Sequence, residues 1–176
     1  MVSFAVQAAL GELRPWGHAR VRGVREETTV VRLRPRRSSC SRCRGTHVLL
    51  RASTLVRRAD TVDVIGQALL FRASGFGHRS IAAKVGRQVS TLRGWLRRFG
   101  ARAEGLRVLF TGLFHALDAA AAAGRPTGSV FTDAVEMLGL AAAAAARLFG
   151  PQPAWQFASA ASGGLLLGPV PAANTS

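Results

Sequence analysis

The stretch from Phe76 to Phe99 constrains the fold of this chain more than any other part of its sequence. Two short segments with the apolar spacing of a helix are separated here by Gly86, where two helices that cross steeply need a tight turn. Glycine accepts a left-handed backbone conformation that costs most other residues about 1 kcal/mol or more. We therefore predict one helix over residues 78–85 and a second over residues 89–99, arranged as a helix-turn-helix.

The second predicted helix has two chemically different faces. The apolar face follows the i, i+3, i+4, i+7 spacing and consists of Leu92, Trp95, Leu96 and Phe99. The opposite face has no acidic residue and consists of Arg93, Gly94, Arg97 and Arg98. Such a face is typical of a helix that enters the major groove of DNA, and we expect Ser90 or Thr91 to be its N-cap. The alternative is an amphipathic helical hairpin whose arginines are only solvated.

The helix-turn-helix interpretation assigns two sets of DNA-contacting residues. The set expected to reach base edges is Gln88, Ser90, Thr91, Arg93, Gly94 and Arg97. The set expected to hold phosphates is Arg34, Arg36, Arg37, Arg42, Arg44, His78, Arg79, Arg87 and Arg98. Double-stranded DNA is therefore the expected partner.

The charge of the chain is concentrated in the part that contains these residues. The 176 residues include 24 Lys and Arg and 9 Asp and Glu, which gives a formal net charge of +15 and a pI near 12.0. Residues 1–108 hold 22 of these cations and 6 of the anions, a net charge of +16, whereas residues 109–176 have a net charge of −1. We expect the basic part to face a polyanion and the neutral part to have a different role.

Another helix is predicted immediately before the helix-turn-helix, over residues 60–74. Asp60 or Thr61 would be its N-cap, and Gly75 would end it. Because two helices alone bury too little apolar surface, this helix would complete a trihelical, homeodomain-like bundle. The helix-turn-helix domain is therefore expected to span residues 57–100.

The neutral part of the chain is predicted to be helical and then disordered. Residues 100–123 and 129–149 are Ala-rich apolar segments separated by a break with glycine and proline. We expect a helical hairpin over residues 101–150 that packs on the bundle or on a second copy, so a homodimer through residues 101–149 is one expected assembly. Residues 151–176 are expected to be a mostly disordered tail whose start is anchored by Trp155 and Phe157.

The basic region before the helices, residues 1–56, is predicted to contain a small β knuckle. A strand over residues 28–34 and a return strand over residues 48–50 would enclose a Cys-x-x-Cys pattern. Residues 1–13 are expected to form a short helix, and residues 13–20 a loop, because Pro15 and Gly17 interrupt any periodicity.

Cys40, Cys43 and His47 are candidate metal ligands. Two thiolates with this spacing can bind one tetrahedral zinc ion from a single turn, and His47 is close enough in sequence to be a third ligand. A structural zinc site needs four ligands, and only His18 is otherwise near in sequence. The pattern leaves open a zinc site, a degenerate knuckle with ordinary thiols, and a redox pair, although no thioredoxin-like βαβ pattern surrounds the cysteines. The expected function requires no cofactor.

Four segments of the sequence resemble a known protein family. They are Cys-Ser-Arg-Cys-Arg-Gly-Thr-His-Val-Leu-Leu at 40–50, Arg-Arg-Ala-Asp at 57–60, Gly-His-Arg-Ser-Ile-Ala at 77–82 and Ser-Thr-Leu-Arg-Gly-Trp-Leu-Arg-Arg-Phe at 90–99. The chain resembles a family of small actinobacterial helix-turn-helix proteins of unassigned function. Its helical part is similar to the homeodomain-like N-terminal domains of insertion-sequence transposases. Some of those transposases carry a zinc ribbon before the helix-turn-helix. The resemblance implies a first Cys-x-x-Cys where this chain has Val6 and Ala9, so either the start of the sequence is misassigned or the zinc-ribbon-like region is degenerate.

The sequence shows no pattern that would support catalysis. The acidic residues include no three on β-rich segments that could bind two metal ions, and no Gly-rich phosphate loop or Gly-x-Ser-x-Gly motif occurs. We predict a non-enzymatic, sequence-specific DNA-binding protein, either associated with a mobile element or a transcriptional regulator. It would be cytoplasmic and associated with the nucleoid, since no signal peptide or membrane span is expected. The alternatives are a protein-interaction or dimerisation module and an accessory subunit of a transposase.

Overall fold

The computed structural model of the chain describes residues 12–122 and 126–168, which form a small β region followed by six helices. The strands are β1 (Leu13–His18), β2 (Arg22–Arg25), β3 (Val30–Leu33), β4 (Arg36–Cys40) and β5 (Thr46–Leu49). The helices are α1 (Val62–Ala73), α2 (His78–Val85), α3 (Val89–Gly100), α4 (Ala103–Leu117), α5 (Val130–Phe149) and α6 (Ala154–Ala161). The described part of the chain is therefore mixed α/β and mostly helical.

The β region contains two antiparallel sheets, one with the strand order β1-β4-β5 and one formed by β2 and β3. The two predicted strands exist as β3 and β5, but the expected pairing between them is wrong. β5 pairs with β4 instead, with Ser38 opposite His47, because a short turn joins these two strands directly. β3 pairs with β2 for the same reason.

The loop predicted over residues 13–20 is largely a strand. β1 pairs with β4, and the register shifts between Pro15 and His18. Proline is tolerated because β1 is an edge strand, and Gly17 adopts a φ of 78° at the irregularity. The short helix expected over residues 1–13 falls almost entirely outside the described residues.

The three helices predicted between residues 60 and 99 are confirmed, and α1 packs against both α2 and α3. Gly86 ends α2 in the left-handed conformation, with φ 63° and ψ 39°. The apolar face of α3 is buried as expected: its buried residues are Leu92, Trp95, Leu96 and Phe99.

The predicted N-caps of these helices are only partly correct. Gln88 occupies the N-cap position of α3, so neither Ser90 nor Thr91 caps this helix. The helix begins at Val89, the first residue of the predicted range, so the N-cap position falls on the residue before it; the side chain of Val89 packs against the core. Thr61 is the N-cap residue of α1, but its side chain makes no capping hydrogen bond.

The hairpin predicted over residues 101–150 is wrong, because α4 and α5 run in the same direction. Arg107 in α4 interacts electrostatically with Asp133 in the first turn of α5. At the other end, Arg147 in the last turn of α5 forms a 2.7 Å ion pair with Asp118, which follows α4. The connection between the two helices is long enough to return along the full length of α4, so a parallel pair is feasible.

The mostly disordered tail predicted over residues 151–176 is also wrong for the part that the structure describes. Residues 154–161 form α6, and Trp155 is buried. A Cβ on Gly66 of α1 would lie 2.1 Å from the Trp155 ring, so only glycine lets the indole approach α1 this closely. Leu166 and Leu167 complete the same core, whereas residues 169–176 lie outside the described residues.

Within the described ranges, no single helix is long and apolar enough to cross a membrane. The consecutive helices α5 and α6 together have the length and apolar composition of a membrane span, but the chain bends by 99° between them.

Candidate nucleic-acid interface and metal centre

The exposed face of α3 carries two arginines that are available to a partner. Arg93 and Arg97 are one helical turn apart and both are exposed. Neither forms an ion pair or a side-chain hydrogen bond within the described part of the chain. The helix therefore has a buried apolar face and an uncompensated cationic face.

A groove of about 680 Å³ runs beside these arginines. The residues that line it come from four helices and are Arg72, His78, Ser90, Arg93, Gly94, Leu96, Arg97 and Phe131. Phe131 of α5 packs edge-on against Phe99, with ring centroids 4.8 Å apart, while Arg93 and Arg97 stay exposed. The cationic face of α3 is therefore open and not covered by the Ala-rich helices.

The groove brings together most of the residues expected to reach base edges. Ser90, Arg93, Gly94 and Arg97 line it, whereas Thr91 is half-buried and Gln88 is exposed at the N-cap position. Arg72 was missed by sequence reasoning. A basic residue in the last turn of a predicted helix, close before Gly75, was the signal that could have indicated it.

Gly94 shapes the floor of this surface. The Nη1 atom of Arg98 donates a 3.3 Å hydrogen bond to the carbonyl oxygen of Gly94. A Cβ at Gly94 would lie 3.0 Å from the same nitrogen atom. The absence of a side chain therefore lets the guanidinium of Arg98 lie along the helix.

Arg87 occupies a different place from the one predicted for a phosphate contact. Its side chain is 9% exposed, and its Nε atom lies 2.6 Å from Oδ1 of Asp60, whose side chain is 3% exposed. It also donates to the carbonyl oxygens of Glu26 and Glu27 in the turn between β2 and β3. Because its donors are already used inside the fold, we reassign Arg87 from phosphate binding to a structural role.

The other expected phosphate contacts are divided between the two regions. His78 lines the groove at the start of α2, and Arg79 next to it is exposed. The β region holds Arg34, Arg36, Arg37, Arg42 and Arg44. None of these five lines the α3 groove, and Arg37 donates a 2.8 Å hydrogen bond to Oγ1 of Thr46.

Cys40, Cys43 and His47 form a candidate metal site at the turn between β4 and β5. Their ligand atoms all lie within 4.8 Å of one another, and Sγ of Cys43 is 3.2 Å from Nε2 of His47. The turn places them together because the Cys40 N–H donates to the Gly45 carbonyl while the Arg44 N–H donates to the Cys40 carbonyl. Cys40 is buried, and the other two are exposed.

The turn also favours the thiolate of Cys40. A hydrogen bond from the backbone N–H of Cys43 lowers the pKa of the Cys40 thiol below its ordinary value, and the N–H and charge of Arg42 act in the same direction against the opposing effect of burial. The thiolate is the form that binds metal ions. The three side chains can therefore supply three ligands to a tetrahedral ion such as zinc and leave one position for a further ligand.

Comparison with protein-family models, with curated proteins and with solved structures gives no match.

Proposed function

We propose that this chain is a non-catalytic protein that binds double-stranded DNA in a sequence-specific way. In this proposal α2 and α3 form a helix-turn-helix, and α3 enters the major groove. One observation supports this proposal most strongly. Arg93 and Arg97 are exposed and form no ion pair with any described residue, while the other face of the same helix is buried. A surface helix that leaves two guanidinium groups uncompensated is suited to an anionic partner.

The spacing of the groove residues fits base reading. Arg93 and Arg97 extend from successive turns, and each guanidinium group can donate two hydrogen bonds to O6 and N7 of a guanine. Ser90 lies one turn earlier, near the start of α3, where the base edges come closest in this docking mode. The packing of α1 against both helices supports a trihelical, homeodomain-like bundle that would hold α3 rigid.

Phosphate contacts would come from both sides of α3. His78 and Arg79 lie in the first turn of α2, where the helix dipole also favours an anion. Arg98 extends from the last turn of α3. The arginines of the β region would hold a neighbouring stretch of backbone, which is how sequence-independent affinity arises.

The β region would be a degenerate zinc ribbon in this proposal. Cys40, Cys43 and His47 are chemically suited to zinc, which prefers thiolate and imidazole ligands. Bound zinc would stabilise the turn between β4 and β5 and so fix Arg42 and Arg44, which flank Cys43. DNA binding by α3 itself does not require the metal.

Selection of bound sites from random double-stranded DNA tests the proposal. The purified full chain is expected to enrich a short motif, and the double variant Arg93→Gln/Arg97→Gln is expected to lose the enrichment. Arg51→Gln is the matched control, because Arg51 is exposed and lies outside the groove. A chain that enriches no motif and shows no salt-dependent retention on DNA would contradict the proposal. The genomic positions of the enriched motif would then distinguish a role in the nucleoid that is associated with a mobile element from a role in transcriptional regulation.

Adjacent exposed apolar side chains at the end of α5 favour a second function. Leu148 is 58% exposed, and Phe149 is 69% exposed. Exposed apolar patches occur at protein interfaces, so this end of α5 would form a homodimer or bind a transposase subunit. Light scattering tests the first case: a dimer that becomes monomeric on Phe149→Ser, with DNA retention unchanged, would place the interface here.

A further inference from the structure

A second cavity, of about 650 Å³, lies at the C-terminal end of α3. Its cationic wall consists of Arg57, Arg58 and Arg98, and its apolar wall includes Val56, Leu165 and Leu167. It shares no lining residue with the α3 groove, so it is a separate site. Its volume falls in the range of about 300–1,000 Å³ that small-molecule sites occupy.

The arginines of this cavity are not neutralised by the fold. Arg58 donates from Nη2 to the Leu167 carbonyl oxygen at 2.9 Å and from Nη1 to the Arg57 carbonyl oxygen at 3.0 Å. Its Nε atom is buried and makes no hydrogen bond to any residue that the structure describes. None of the ion pairs within the described residues involves these three arginines.

Two of these charges also oppose each other. Burial lowers the pKa of Arg58, and the nearby positive charge of Arg98 lowers it further. A pair of like charges is unfavourable without an anion. Since the residues that line the cavity include no carboxylate, an external anion would relieve this repulsion.

The backbone supports the same conclusion. Arg57 adopts a φ of 56°, a left-handed conformation that is uncommon for a residue with a long side chain and costs about 1 kcal/mol or more. Arg57 and the next residue, Arg58, both line the cavity.

We infer that this cavity binds a small organic anion that carries a carboxylate or phosphate group on an apolar body. The anionic group would accept hydrogen bonds from the three arginines of the cationic wall, and the apolar body would pack against the apolar wall. Arg98 is also one of the proposed phosphate contacts, so the bound anion would weaken DNA binding. That last consequence rests on the proposed function, whereas occupancy of the cavity does not.

Calorimetric titration of the full chain without DNA tests the inference, with octanoate as the probe. We expect saturable binding with one site, and binding of acetate or octanol weaker by at least about tenfold, since each lacks one of the two interactions. Arg98→Gln and Arg57→Gln, both at exposed positions, should lower the affinity for octanoate by about tenfold. Arg51→Gln should leave this affinity unchanged.

Two outcomes would overturn the inference. One is no saturable binding of octanoate, and the other is equal octanoate binding by the wild type and by Arg98→Gln. If octanoate does not bind and Arg57→Gln also weakens DNA retention, the cavity is instead a contact for a DNA phosphate. Because the titration contains no DNA, failure of the proposed DNA binding would leave its result unaffected.

Discussion

Nε of Arg87 lies 2.6 Å from Oδ1 of Asp60, although the two residues are 27 positions apart in the chain. The same carboxylate accepts hydrogen bonds from Nε and Nη2 of Arg25 at 3.1 and 3.0 Å. Arg25 belongs to β2, Asp60 lies two residues before the start of α1 and Arg87 lies between α2 and α3. One buried carboxylate thus connects the β region to the turn that positions α3.

Replacement of Asp60 by Asn should therefore destabilise the whole fold. The buried guanidinium of Arg87 would lose its counter-charge, and breaking a buried ion pair from one side costs about 3–5 kcal/mol. Urea unfolding followed by circular dichroism measures this change. Asp118→Asn is the control, because its partly exposed ion pair with Arg147 should contribute only about 0–1 kcal/mol. Equal effects of the two substitutions would contradict a structural role for Asp60.

Gly66→Ala should destabilise the chain although alanine favours a helix. The added Cβ would lie 2.1 Å from the ring of Trp155, so α6 has to move away from α1. Overpacking of this kind costs about 1–3 kcal/mol. Gly139→Ala in α5 is the matched control, since its Cβ would meet no atom within 4 Å and should stabilise by up to about 1 kcal/mol. If denaturant unfolding shows the same change for both, α6 does not pack as described.

Metal binding should depend on Cys40 and on pH. Cobalt(II), a spectroscopic substitute for zinc, should give a thiolate charge-transfer band that Cys40→Ser abolishes and Ser41→Ala leaves intact. The N–H of Cys43 lowers the pKa of Cys40, so the thiolate persists to a lower pH than for an ordinary cysteine. Cobalt affinity should fall as the pH is lowered, because protons compete with the ion for its thiolate ligands. A band that survives Cys40→Ser would exclude this cluster as the site.

The helices α1 to α3 could be predicted because their signals are local. Gly86 and the apolar spacing of Leu92, Trp95, Leu96 and Phe99 lie within one short segment, and that spacing also indicated that Arg93 and Arg97 would be exposed. The pairing of the strands and the direction of α5 relative to α4 depend on contacts between distant segments, which periodicity does not report. The same holds for the ion pair between Asp60 and Arg87.

The error at the C-terminal region has a different origin. Its Gly-, Ala- and Pro-rich composition resembles a disordered tail, yet small residues are what allow α6 to pack closely. Trp155 fits against α1 only because residue 66 lacks a side chain. Composition alone does not show that a distant glycine provides this space.

The proposed role of α3 is tested most directly by measuring DNA affinity over a range of salt concentrations for Arg93→Gln and Arg36→Gln. On the selected motif, Arg93→Gln should cost about 1–3 kcal/mol and reduce the preference over unrelated duplexes. Arg36→Gln should weaken binding to all duplexes alike and lower the salt slope by about one. If the two variants instead lose affinity equally for every sequence, α3 does not read bases, and its proposed role in sequence-specific DNA binding is wrong.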